Sequence, residues 1–231
     1  MVSPSQIPLD FQIDPSYAAS NFVRGVANQQ AYDWVTSWPD WPEGIQMLNI
    51  FGAEASGKTH LSFLLPQDRA VRVPADLAPW LIDEFQPLIE TEQAQNLLFI
   101  CDFPDHHISK NREEYFHLFN QIRHSSHFLL YLSRQPLTQY TTELADLNSR
   151  MRAFTVQEIF LPDDALLGAV LVKMASDRQL GLSAEMVKLI IANSERSFDA
   201  MRLIIDKLDS HTLATQKPVS LHIIRQVLSG K

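Results

Sequence analysis

The sequence predicts an α/β domain, built on a mostly parallel sheet with flanking helices, followed by a small all-α domain. Three observations predict it. Short apolar runs alternate with amphipathic helical stretches through the first part of the chain. A glycine-bearing loop joins the first of those runs to a helical stretch, and after Pro162 the strand pattern stops and helical stretches follow one another.

Met47-Leu48-Asn49-Ile50-Phe51 reads as a buried strand, and Lys58 to Leu65 as the helix after the loop. A short strand around Val71 and a helix over Asp76–Phe85 come next. Leu97-Leu98-Phe99-Ile100-Cys101-Asp102 is an apolar strand ending in an acid. Asn111–His124 spaces Tyr115, Leu118, Phe119 and Ile122 along one helical face, and Phe128–Ser133 is a further strand. Pro162-Asp163 opens a long helix expected to close at Gly181; Ser183–Asn193, Ser197–Leu213 and Ser220–Leu228 complete a four-helix unit. The expected domains are an N-terminal peptide and linker over 1–20, a nucleotide-binding domain over 21–161 and a helical lid over 162–231.

Composition narrows the function classes. The 231 residues carry a formal net charge of −8, with no basic run of five or more, so a direct grip on DNA phosphates is not expected. No apolar run reaches membrane-spanning length and the N-terminus lacks a basic region before an apolar core, so a cytoplasmic protein without membrane contact is expected. The single cysteine, Cys101, precludes an internal disulfide and reads as a buried, inert thiol.

The loop Gly52-Ala53-Glu54-Ala55-Ser56-Gly57-Lys58-Thr59 fits G-x-x-x-x-G-K-[ST]. In that pattern the glycines allow backbone turns that aim successive N–H groups at phosphate oxygens. Lys58 reaches the β- and γ-phosphates, and the Thr59 hydroxyl is a Mg²⁺ ligand. Asp102, ending its strand, is the matching Mg²⁺ carboxylate candidate. ADP or ATP with Mg²⁺ are the expected ligands. His106-His107 are adjacent, with diverging side chains, and read as exposed loop rather than a metal site. Asp163-Asp164 read as helix N-terminal acids, and His117 as packed or capped in its helix.

Longer stretches resemble the DnaA replication-initiator family of AAA+ proteins. Phe22-Val23-Arg24-Gly25-Val26-Ala27-Asn28 resembles that family's F-V-x-G-x-x-N segment, and Gly57-Lys58-Thr59-His60-Leu61 its G-K-[ST]-H-L. Glu114-Tyr115-Phe116-His117-Leu118-Phe119-Asn120 is similar to its E-x-F-F-H-x-F-N helix, and Asp146-Leu147-Asn148-Ser149-Arg150 to its L-x-S-R motif. Gln6-Ile7-Pro8-Leu9-Asp10-Phe11 fits Q-x-x-L-x-F, a peptide that docks in the cleft of the DNA polymerase sliding clamp. With a helical lid at the end of the chain and no helix-turn-helix DNA domain after it, the resemblance narrows to the Hda branch. Trp38-Pro39-Asp40-Trp41-Pro42, a surface aromatic turn on its own terms, looks like the alphaproteobacterial form of that branch.

The resemblance implies a regulator of bacterial replication initiation. It would bind the β subunit of the DNA polymerase III clamp through Gln6, Leu9 and Phe11. It would stimulate ATP hydrolysis by DnaA and meet DNA only indirectly. Arg150 would be the arginine finger acting in trans, with Arg152 second to it; from spacing alone, a surface salt bridge is the alternative for Arg150. Phe22, Val23, Asn28, His60 and Ser133 join the loop as nucleotide-binding positions, and a homodimer is compatible. Rival expectations are a self-assembling P-loop ATPase of helicase-loader type and a nucleotide-independent clamp adaptor.

The pattern breaks at three places. Phe103 follows Asp102 where the family has a second acid or Asn, unless Cys101-Asp102 aligns with the acidic pair. Arg134 follows Ser133 where the family often has Asp, and Asp199 stands at the lid position of a phosphate-contacting arginine. Little or no ATPase activity of its own is the expectation.

Overall fold

The computed structural model describes residues 17–90 and 96–229. The clamp-peptide positions Gln6, Leu9 and Phe11 lie outside the described residues. Five strands form one parallel sheet: β1 Met47–Gly52, β2 Ala70–Arg72, β3 Leu98–Asp102, β4 Phe128–Ser133 and β5 Thr155–Ile159. Their order is β2-β3-β4-β1-β5, so β1 and β4 lie in the middle. The helices are α1 Gln29–Thr36, α2 Lys58–Ser62, α3 Leu77–Trp80, α4 Gln86–Glu90, α5 His106–Lys110, α6 Arg112–Arg123, α7 Ala145–Arg152, α8 Asp164–Asp177, α9 Ala184–Ala192, α10 Phe198–Thr215 and α11 Leu221–Leu228.

The apolar runs are continuous because the sheet is covered on both faces. Phe99, Cys101, Leu129 and Tyr131 face a cluster containing Trp80, Phe85, Tyr115, Leu118, Phe119, Leu147 and Met151. The alternate residues Leu98, Ile100, Leu130 and Leu132 face Ala31, Val35, Leu61, Trp38 and Trp41. Trp38 and Trp41 are therefore core residues, set edge-on to Phe128, and not a surface turn. Cys101 is fully buried, which pushes its thiol pKa up and keeps it unreactive. A separate apolar cluster joins α8, α9, α10 and α11 through Leu167, Leu171, Ile190, Ile205, Leu208 and Ile224. Three of these helices start on serines whose hydroxyls accept a backbone N–H three residues on: Ser183, Ser197 and Ser220. Asp163 caps α8 in the same way, through Leu166 N–H at 2.7 Å.

Several expectations need correction. The helix after the loop stops at Ser62, and Phe63–Leu65 close in tighter turns because Pro66 follows. The helix expected over Asp76–Phe85 runs from Leu77 to Glu90, with a wide π turn over Leu81–Phe85. Pro87 has no N–H to return to Asp83, which removes one i→i−4 bond there. α8 ends at Asp177; the left-handed residue past it is Gln179 (φ 58°), so Gly181 does not stop this helix. His106 and His107 open α5 instead of lying in a loop. His117 is exposed, with its ring set edge-on to Phe116. β5 and α1 were not expected: polar Gln157 and Glu158 mask the strand, and the short Ala31/Val35 repeat hid the helix.

Candidate functional site

The loop leaves the carboxyl end of β1, at the edge of the sheet where open α/β folds form their ligand crevice. Gly52 is required sterically, because a Cβ there would meet the Ile159 carbonyl oxygen at 2.6 Å. Gly57 sits at φ 92° and Ala55 at φ 55°, and such left-handed residues turn backbone N–H groups inward to form an anion nest. Within this loop Lys58 Nζ donates to the carbonyls of Gly52 (2.8 Å) and Ala53 (2.7 Å) and to Ser56 Oγ (3.3 Å). Burial lowers its pKa, and the Asp102 carboxylate opposes that. Thr59 Oγ1 donates to Asp102 Oδ2 at 2.7 Å, so the two expected Mg²⁺ ligands, one on α2 and one ending β3, meet. A hydroxyl and a carboxylate at that spacing are hard oxygen donors of the kind Mg²⁺ takes.

His60 and the Phe22 segment meet beside the loop. The Phe22 ring is edge-on to His60 at 5.3 Å and stacks on Tyr32, while His60 Nε2 lies 3.1 Å from the Ala18 carbonyl. Asn28 shapes this segment: its Oδ1 accepts from Gly25 N–H (2.9 Å) and its Nδ2 donates to the Val23 carbonyl (3.0 Å). Ser133, at the end of β4, accepts from Asn49 Nδ2 (2.8 Å) and donates to the Gln135 carbonyl (2.6 Å). Asn49 also donates to the Tyr131 carbonyl and accepts from Leu137 N–H, which fixes the backbone on both sides of Ser133. Sequence reasoning passed over Asn49, although a lone amide in an apolar strand is a usable signal for a buried polar anchor.

The positions that break the family pattern have defined surroundings. Phe103 stacks on His107 at 4.3 Å, and His107 lies within hydrogen-bond distance of Tyr115 and the Ala75 carbonyl. Neither histidine belongs to a metal-binding cluster; none is found among the described residues. Asp199 is paired with Arg202 at 2.9 Å, and Arg196 with Asp164 at 2.5 Å, so both nearby lid arginines are engaged. What the lid does send to the loop is Phe198, whose ring edge is 3.6 Å from where a Cβ on Gly57 would stand.

Arg150 lies elsewhere. It occupies the last turn of α7 rather than a segment after a helix, and its guanidinium has no ion-pair or hydrogen-bond partner among the described residues. α7 carries the chain back from the carboxyl end of β4 to the amino end of β5, where Thr155 pairs with Leu48. The loop follows Gly52, which pairs with Ile159. From Leu48 to Gly52 the strand rises about 13 Å, so Arg150 and the loop stand at opposite edges of the sheet.

Known proteins share this architecture. Residues 164–228 match the family model for the lid domain of Hda. The chromosomal replication initiator DnaA of Corynebacterium aurimucosum is 24% identical over 227 residues, covering 91% of this chain and 42% of that one. Domain III of the Thermotoga maritima replication initiation protein DnaA superposes with a TM-score of 0.74 at 20% identity, covering 94% of this chain and 97% of that one. AMPPCP-bound DnaA from Aquifex aeolicus gives 0.67 at 20% identity, covering 84% and 65%. The chain spans about half the length of the curated DnaA relatives it matches. The chain is thus similar to DnaA proteins over most of its length and shares their AAA+ fold, and its C-terminal helices match the Hda lid domain.

Proposed function

We propose that this chain regulates bacterial replication initiation by presenting Arg150 to the ATP bound on DnaA, while its own loop holds ADP or ATP. The observation that carries this reading is the separation of the two: an unpartnered arginine at the amino edge of the sheet and a phosphate loop at the carboxyl edge. An arginine so placed can reach only a nucleotide held by another molecule. There it would offset charge growing on the transferring phosphoryl group, an effect worth roughly 10³–10⁵ in rate where such fingers act. On its own side, Lys58 and the loop N–H groups would hold the phosphates. Thr59 and Asp102 would hold Mg²⁺, which neutralises phosphate charge when bound. Phe103 and Asp199, apolar and acidic where a water-orienting group and a phosphate-binding cation are needed, support a loop that keeps its nucleotide. Gln6, Leu9 and Phe11 would deliver the protein to the sliding clamp.

The test is hydrolysis of DnaA-bound ATP with loaded clamp, with and without this protein. Arg150→Ala is expected to abolish stimulation and keep clamp binding; Gln6→Ala with Phe11→Ala is expected to lose the clamp. Undiminished stimulation by Arg150→Ala would sink the finger assignment. Fast ATP turnover by the protein alone would favour the self-assembling ATPase instead.

A further inference from the structure

On the lid, α8 and α9 leave an open groove of about 1470 Å³. Ala165, Ala169 and Val172 line it from α8, Val187 and Ile191 from α9, and Val172 is half exposed there. The two helices come close at Gly168, where a Cβ would meet Ile191 Cδ1 at 3.5 Å and Val187 Cγ1 at 3.6 Å. Small-molecule pockets measure about 300–1,000 Å³, so this groove has room for a stretch of chain. Its rim carries Lys173, shared with Asp177 at 3.5 Å, and Lys188, which has no ion-pair or hydrogen-bond partner among the described residues. Beyond them, at the start of α8, Asp164 and Arg196 engage each other.

The described chain begins beside the Lys173 end of this groove. Tyr17 stacks on Phe63 at 4.9 Å and meets His60 edge-on at 5.7 Å. Burial lowers the His60 pKa and Lys173 adds to that, which sets this part of α8 beside α2. Residues 1–16 precede Tyr17. Back to Ile7 an extended chain reaches about 33–36 Å, whereas α8 is only about 21 Å long. In that stretch Ile7, Leu9, Phe11 and Ile13 alternate with Pro8, Asp10, Gln12 and Asp14. In an extended chain this alternation puts four apolar side chains on one face, over about 20 Å. The only charged side chains before Tyr17 are Asp10 and Asp14, opposite in sign to Lys173 and Lys188. Length, apolar period and charge therefore all match the groove.

We propose that residues 7–14 of this chain dock in the groove between α8 and α9. Leu9 and Phe11 then cover its apolar floor, with Asp14 toward Lys173 and Asp10 toward Lys188. The proposal does not rest on the clamp reading above. It gives the same side chains a second place, and Leu9 and Phe11 can occupy only one of the two at a time.

Disulfide trapping in the full chain tests it, with circular dichroism confirming the fold of each variant. Cys101 is buried and does not compete. Leu9→Cys with Ala169→Cys, an exposed position on α8, is expected to cross-link within one chain. Adding Phe11→Ser and Ile13→Ser, which keeps the tether and both thiols, is expected to slow that reaction at least about 10-fold, the factor lost with a docked state worth about 1.4 kcal/mol. An unchanged rate, or no cross-link at all, overturns the proposal. A cross-link between two chains that rises with protein concentration also overturns it and gives the groove to a second copy. Without added cysteines, the methyl resonances of Val172 and Val187 are expected to move on Phe11→Ser with Ile13→Ser. Unmoved resonances count against docking.

Discussion

Asn49 shows how much one buried side chain carries. It is fully buried, its amide donates twice and its oxygen accepts the Leu137 N–H. Replacing it by leucine keeps the volume and strands the Leu137 N–H. Unfolding in urea is expected to show Asn49→Leu destabilised by at least about 2 kcal/mol, the cost of leaving buried polar groups unpaired. His60 gives a pH signature. Burial lowers its pKa below the ordinary 6.5, opposed by the Ala18 carbonyl and reinforced by Lys173. Above about pH 6.5 both folded and unfolded rings are neutral and this part of the stability is complete. As pH falls below that value the unfolded chain takes the proton first, so stability is lost until the lower folded pKa is passed. Stability is therefore expected to drop more steeply between about pH 7 and pH 5 in the native chain than in His60→Gln. At this scale the motif residues were legible, because phosphate and Mg²⁺ chemistry restricts residue type. Asn49 and Phe198 were not, because their roles depend on neighbours brought close only by the fold.

At the scale of elements, α10 shows how a cap fixes the aim of a side chain. Ser197 Oγ accepts the Ala200 N–H at 3.1 Å, and the very next residue, Phe198, approaches Gly57. Ser197→Ala is expected to cost about 1 kcal/mol in chemical denaturation. It should also change the affinity for nucleotide, whereas Ser220→Ala, capping α11, should cost similar stability and leave binding alone. Gly57→Ala is a harsher change: φ 92° strains any side chain, and the added methyl would face the Phe198 ring. Loss of nucleotide binding with the fold retained is the expected result by fluorescence titration and circular dichroism. Helix starts were read correctly at Ser183, Ser197 and Ser220, since capping is local chemistry. Helix ends were read less well. Gln179 rather than Gly181 takes the left-handed position past α8, and the π turn before Pro87 has only the missing N–H of that proline as a local signal. β5 escaped notice because an edge strand with exposed Val156 and Glu158 lacks the unbroken apolar run of the central strands.

For the whole molecule, the sheet and the lid have separate apolar clusters, yet Phe198 brings the lid onto the loop. A ligand in the loop would then tie both units together. A nucleotide at 100 times its dissociation constant is expected to stabilise the native chain by about 2.7 kcal/mol, and to narrow the thermal transition if sheet and lid otherwise melt apart. Ile205→Ala, a cavity in the lid core costing about 2–5 kcal/mol, should leave a larger share of total stability dependent on nucleotide. Calorimetry with and without ADP measures both.

The placement of Arg150 and the loop at opposite ends of the strands also bears on symmetry. In a two-fold dimer any contact from residue i to residue j of the partner is returned in kind. Two chains lying antiparallel would therefore form arginine–loop contacts in pairs. A head-to-tail contact between identical chains instead forms one such contact per step, and closes into a ring or continues as a filament. The polarity of this small parallel sheet thus gives each mode of association its own count of arginine–loop contacts.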